Sequence, residues 1–152
     1  MADFVHLHNH SEFSLLDGLS KAKNMVARVK DLGMKAIAIT DHGNMYGVIN
    51  FYKTCVAEGI KPIIGAEIYI AKRSMHDKEA GIDGDSNHLI LLAKNLNGYK
   101  NLMKIISAAG LEGYYYKPRI DLELLKKYSK DLICLSACEN GFFSGGLRLC
   151  RI

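Results

Sequence analysis

Three histidines occupy alternate positions in His6-Leu7-His8-Asn9-His10, a spacing that on an extended segment turns all three rings to one side. Imidazoles gathered this way gain little from packing, whereas a divalent cation gives each ring nitrogen a strong partner. Asp17 follows in the next loop, Asp41-His42 closes a later apolar run, Glu67 interrupts another, and His88 opens a fourth. A carboxylate inside an apolar strand is expensive unless a cation or hydrogen bonds compensate it. Singly, each residue has an ordinary use: Asp41 as a turn or helix cap, Glu67 on an exposed edge, His88 as a satisfied core histidine. Together they form a nitrogen and carboxylate set suited to zinc, manganese or iron rather than calcium, with ligands enough for more than one ion. Clustered metals hydrolyse phosphate esters, one ion activating water while its neighbours neutralise the phosphoryl oxygens.

Such residues need elements to hold them. Phe4 to His8 reads as a short strand. Ser20 is expected to cap a helix with Met25, Val26, Val29 and Leu32 on one face and Gly33 as its stop. The apolar run from Lys35 to Thr40 predicts a second strand, and Val48, Phe51, Tyr52, Cys55 and Val56 predict a second helix up to Gly59. Pro62 to Ile70 reads as a third strand, and the polar stretch from Ser74 to Asn87 as a long functional connection. If that connection turns the chain back, His88 comes down beside Glu67. Five of the six histidines then converge, with only His76 left out. A helix carrying Leu102, Met103, Ile105 and Ile106, a tyrosine-rich loop, a short helix from Asp121 to Tyr128 and a strand from Leu132 to Leu135 complete the pattern. Alternating strands and helices predict a parallel α/β architecture, a barrel or an open sheet, with functional loops at one rim.

The 152 residues are 49% hydrophobic and 24% charged, the profile of one globular domain and not of a disordered or collagen-like chain. A closed α/β barrel usually needs about 250 residues, so the chain is short for one. Its net charge of +4 permits a polyanionic partner without indicating one, and the pI near 8.8 falls short of a dedicated nucleic-acid-binding domain. Cys55, Cys134, Cys138 and Cys150 lack the spacing of a zinc ribbon, which favours a reduced, cytoplasmic chain. No signal-peptide pattern opens the sequence, and no apolar run approaches the roughly 18 residues of a spanning helix. Gly113-Tyr-Tyr-Tyr-Lys-Pro-Arg119 joins three aromatics to two cations, a combination able to stack on bases or hold a phosphate, or simply to seal a sheet edge. Gly141 to Gly146 is glycine-rich but follows no phosphate-loop pattern.

Four ordered blocks carry a family resemblance: Phe4 to Gly18, Ala38 to Gly47, Gly59 to Glu67 and His88 to Asn95. Across residues 3 to 139 the chain resembles the PHP (polymerase and histidinol phosphatase) domain found at the N-terminus of bacterial replicative DNA polymerase III alpha subunits. The resemblance implies a distorted (β/α)7 barrel with a metal cluster of two or three zinc, manganese or iron ions at its rim. It implies ligand roles for His8, His10, Asp17, His42, Glu67 and His88, and for Cys138 at the end of Leu135-Ser-Ala-Cys138, with His6 as a neighbour of the ligands. It also implies phosphoesterase chemistry of the 3′ to 5′ exonuclease type. The implied partners are DNA, the other polymerase domains, and replisome or proofreading subunits, in the cytoplasm and without a membrane.

The family pattern continues with further barrel strands, a late Asp-x-His pair and the polymerase carboxylates, and this chain does not. Residues 1–139 are therefore expected to be an incomplete PHP domain, and 140–152 a divergent tail. Two classes of function follow: a metallophosphoesterase domain of the polymerase subunit, or a non-catalytic platform for the polymerase and its proofreading partner. A phosphatase acting on a small substrate such as histidinol phosphate is disfavoured by the polymerase-type blocks Leu15-Leu-Asp-Gly18 and Gly43-Asn-Met-Tyr-Gly47.

Overall fold

The computed structural model describes residues 4–137. Ten elements follow in the order α1 (Ala22–Asp31), β1 (Ala36–Ile39), α2 (Val48–Ala57), β2 (Lys61–Ala71), β3 (Ser86–Ala93), α3 (Leu96–Leu111), β4 (Tyr114–Tyr115), β5 (Lys117–Ile120), α4 (Leu122–Tyr128) and β6 (Leu132–Leu135). The helices bury one stripe each: Ala22, Val26 and Val29 on α1, Val48, Phe51 and Cys55 on α2, Leu102, Ile105 and Ala109 on α3. Asn95 and Asp121 cap α3 and α4 by accepting from the backbone N–H groups of Gly98 and Leu124. α1 departs from expectation. Lys21, not Ser20, is its N-cap, and no side chain caps it, while the Ser20 carbonyl accepts from the Glu12 N–H instead.

The strands form a six-stranded sheet in the order β4-β5-β2-β3-β6, with β1 alongside the first half of β2. The sheet is mixed, which corrects the expectation of parallel strands. β1 and β5 run parallel to β2, but β2 with β3, and β3 with β6, are antiparallel. The reason lies in the connection between β2 and β3, which holds no helix and so returns the chain as a long hairpin instead of a crossover. Among the described residues no pairing joins β4 to β6, and the sheet stays open.

Period-two alternation divides β2 and β3 between two environments. Ala66, Ile68 and Ile70, with Leu89 and Leu91 opposite them, pack under Leu102, Ile105 and Leu125 of the helices. Glu67 and Tyr69, with Ile90 and His88 opposite them, point to the other face. A second cluster joins α1 and α2 to Ile37, Ile39 and Ile60, and a third, of Ala38, Ile90 and Leu92, lies beside the polar face.

The expected strand over Phe4 to His8 does not form. That segment lies along β1, with Ala38 N–H donating to the His6 carbonyl and Thr40 N–H to that of Asn9, both at 2.9 Å. Three residues of the segment thus span two of β1, a bulge-like register that breaks the ladder. The Asn9 side chain supplies the missing pairing by donating to the His6 and Ala38 carbonyls.

Candidate metal centre

The loop after the bulge is held by one buried carboxylate. Asp41, 1% exposed, accepts from Ser11 N–H at 2.6 Å, Ser11 Oγ at 2.7 Å and Ser14 Oγ at 2.9 Å. Ser14 Oγ in turn accepts from His42 N–H at 3.1 Å and contacts His10 Nδ1 at 3.3 Å. Because that hydroxyl spends its proton on Asp41, His10 Nδ1 must be the donor to Ser14. Asp41 is therefore a positioning residue, closer to the turn role open to it in the sequence than to a ligand.

Glu67 is the centre of the cluster. Its Oε2 lies 2.7 Å from His8 Nε2 and 3.1 Å from His10 Nε2, and its Oε1 accepts from His88 Nδ1 at 2.7 Å. Asp17 meets His42 Nε2 at 2.5 Å, and His8 and His10 bring their Nε2 atoms to 3.0 Å. His10 stacks on His42 at 4.1 Å, and Tyr69 flanks both His42 and His88. Burial alone would push the Glu67 carboxyl up, but hydrogen bonds from His10 and His88, the nearby His42 and the contact with His8 hold it well below the ordinary carboxylate range. The hydrogen bond to Glu67 raises His10, against the opposing effect of its burial. Burial lowers His42, further depressed by His10, so its ring favours the neutral form that ligates metals. Burial pushes Tyr69 up to about 12, helped by Glu67 and Asp17, and it remains a phenol.

His42 Nδ1 decides what this arrangement fits. Among the described residues it is buried without a hydrogen-bond partner, 3.8 Å from Glu67 Oε2, where a polar atom normally finds one. Three sets of donor atoms lie within 4.8 Å of one another: His8, His10 and Glu67; His10, Asp17 and His42; His42, Glu67 and His88. They share members, as ligands between adjacent cations do. The donor chemistry and the orphaned nitrogen both fit divalent metal ions.

The structure thus brings together His8, His10, Asp17, His42, Glu67 and His88. It does not bring in His6, whose ring packs edge-on against Phe4, so four histidines converge and not five. His76 stays in the polar connection. Cys138 lies outside the described residues. Ser11, Ser14 and Tyr69 were missed in the sequence. Tyr69 was within reach there, standing two residues after Glu67 on the same strand face.

The PHP domain model matches residues 6–148. Over 139 residues the chain is 55% identical to DNA polymerase III subunit alpha of Treponema pallidum and 54% identical to that of Borreliella burgdorferi, covering 91% of this chain in each case. It spans about 12% of the length of these relatives. An amidohydrolase structure from Chromobacterium violaceum overlaps 69% of this chain and 32% of its own at a TM-score of 0.46 and 18% identity.

Proposed function

Because the chain belongs to the PHP domain family, we propose that residues 1–139 are the metal-binding phosphoesterase portion of a DNA polymerase III alpha subunit, followed by a divergent tail. His8, His10, Asp17, His42, Glu67 and His88, with Cys138, would hold two or three zinc, manganese or iron ions. The observation that carries this reading is the trio of overlapping donor sets around the unpartnered His42 Nδ1. When bound, the ions supply an activated water and neutralise phosphoryl charge. The chain's own residues do the rest. Glu67 stays anionic at the centre, Asp41 through Ser14 holds His10 and His42 in place, and Tyr69 walls one side of the cluster. The substrate class is a phosphoester, of the 3′ to 5′ exonuclease kind in the complete polymerase, with DNA and the other polymerase and proofreading subunits as partners in the cytoplasm. Among the described residues no helix is long and apolar enough to cross a membrane.

The test is hydrolysis of bis(p-nitrophenyl) phosphate by the chain supplied with manganese or zinc. Turnover that disappears with chelator and in Glu67→Gln supports the reading; turnover indifferent to both contradicts it. A second reading, a non-catalytic platform, is favoured by a different observation. A cleft of about 460 Å³ between α2 and the start of α3 is lined by Val48, Ile49, Tyr52, Ile64, Leu96 and Tyr99, with Ile49, Tyr52 and Leu96 exposed. Apolar surface of this kind marks an interaction face.

A further inference from the structure

The aromatic and basic segment 113–119 supplies no member of the histidine cluster, yet the fold presses it against the cluster's rim. β4 and β5 form a tight hairpin in which Tyr115 pairs with Lys117. Tyr116 is the single residue at the tip, at φ +57° and 71% exposed, its ring tilted against that of Tyr115 at 4.6 Å. A bulky aromatic side chain at positive φ is strained where glycine would not be. Behind the tip, Lys117 holds its Nζ 4.7 Å above the ring of Tyr69. That same ring stacks on His42 at 5.9 Å and meets His88 edge-on at 4.9 Å. The packing leaves no room between the segment and the His42 turn. A Cβ on Gly43 would meet Pro118 Cγ at 2.5 Å and Tyr69 Cε2 at 3.1 Å.

One aromatic ring therefore separates the Lys117 ammonium from two of the candidate ligands. Lys30, Lys72 and Arg73 are each paired with a carboxylate, whereas Lys117 makes no direct ion pair among the described residues, with Asp85, already bound to Lys72, as an acidic neighbour. The Tyr69 face holds it in position without neutralising it. Tyr114 and Tyr116 are exposed beside it. The hairpin cannot drift from this place, because the adjacent Arg119 is fully buried and donates to the carbonyls of Gly113, Asp83, Met75 and Asp77.

Taking as substrate the strand end that the phosphoesterase reading supplies, we propose that Lys117 and Tyr116 form the second half of the substrate site, a subsite for the neighbouring nucleotide. Lys117 takes the phosphate next to the one presented to the cluster, as a point charge. Tyr116 offers its exposed face to the neighbouring base, a contact indifferent to sequence. A monoester has neither a second phosphate nor a second base to place there. The inference rests on the phosphoesterase reading, and the experiment separates the two.

Binding of a fluorescent oligothymidylate to the 152-residue chain is followed by anisotropy across a salt series, with metal content measured on the same preparations. Lys117→Ala is expected to weaken binding and to make the slope of log affinity against log salt about 0.7 shallower, the loss of one single-strand phosphate contact. Lys117→Arg should restore most of the affinity. Tyr116→Ala should weaken binding roughly five- to a hundredfold, while Tyr116→Phe keeps it. Tyr116→Gly relieves the positive φ, so it should bind worse while unfolding at a higher temperature, a combination that misfolding cannot produce. Metal retained in each weakened variant supports the subsite. Unchanged affinity in Lys117→Ala and Tyr116→Ala, duplex bound as tightly as the single strand, or no binding by the parent overturns the subsite and leaves the cluster standing. A parent free of metal overturns the phosphoesterase reading and the subsite with it.

Discussion

Glu67 and Arg119 are both buried charges on adjacent strands, with Arg119 in register with Tyr69 two residues beyond Glu67. Their surroundings are opposite in kind. Arg119 is satisfied by four backbone carbonyls and lies 5.2 Å from the Tyr115 ring centre, partners that neither titrate nor leave. Glu67 is surrounded by four imidazoles, one of which keeps a buried nitrogen unpartnered. A buried charge whose partners are all backbone locks a loop in place, here the long connection between β2 and β3. One whose partners are themselves potential donor atoms for metals is the proposed site. Burial is the same in the two places, and only the chemistry of the partners separates structure from function.

The sharpest way to break this comparison is to remove each charge. Arg119→Ala strips the donor from four carbonyls, those of Gly113, Asp83 and Met75 buried and that of Asp77 half-buried, and should cost about 3–5 kcal/mol of unfolding free energy, read by denaturant titration. A loss under about 1 kcal/mol would mean that the connection holds itself. Glu67→Gln is expected to do the reverse: a change of no more than about 2 kcal/mol in the metal-free chain, but loss of most bound metal. Equal destabilisation by both substitutions would erase the distinction.

Ser14→Ala sharpens it, since that hydroxyl links Asp41 to both His10 and His42. The expected cost is about 1–3 kcal/mol, together with metal affinity lowered about 10- to 100-fold, as for other groups that orient ligands. Asp83 gives the smallest effect. The guanidinium of Arg73 and the Glu79 N–H hold its carboxyl down to about 2. With its folded value below that of the unfolded chain, Asp83 favours folding fully above the ordinary carboxylate range and loses that contribution as pH falls towards 2. Asp83→Asn should therefore flatten the acid limb of stability against pH. An acid limb identical to the parent's would place the loss elsewhere.

Much of this was legible in the sequence, and the failures have physical causes. Val26 and Val29 of α1, Val48, Phe51 and Cys55 of α2, Leu102 and Ile105 of α3, the bounds of β6 and the return of His88 beside Glu67 follow from apolar periodicity and from a polar connection with no helical pattern, whereas Leu32, Tyr52, Val56 and Met103, expected on the same faces, are exposed. His8, His10, Asp17, His42, Glu67 and His88 lie together in the structure, and their role as ligands is the proposal. His6 did not join them. Alternation assumes a regular strand, and the bulge at Asn9 is made by side-chain hydrogen bonds that periodicity does not carry. The parallel sheet failed because β2 and β3 form a hairpin, although the same polar connection had suggested it. Ser11 and Ser14 were missed because two serines in a polar loop resemble any others until Asp41 is found beneath them.

The central claim is that the four histidines and two carboxylates form a cation site. Its most direct test is the metal content of the purified chain, measured by elemental mass spectrometry beside a His8→Ala, His10→Ala, His42→Ala triple variant. The account predicts about two or more equivalents of zinc, manganese or iron in the parent and their loss in the variant. Substoichiometric metal unchanged by the three substitutions would contradict it, and would leave the cluster as a buried hydrogen-bond network with no cation to hold.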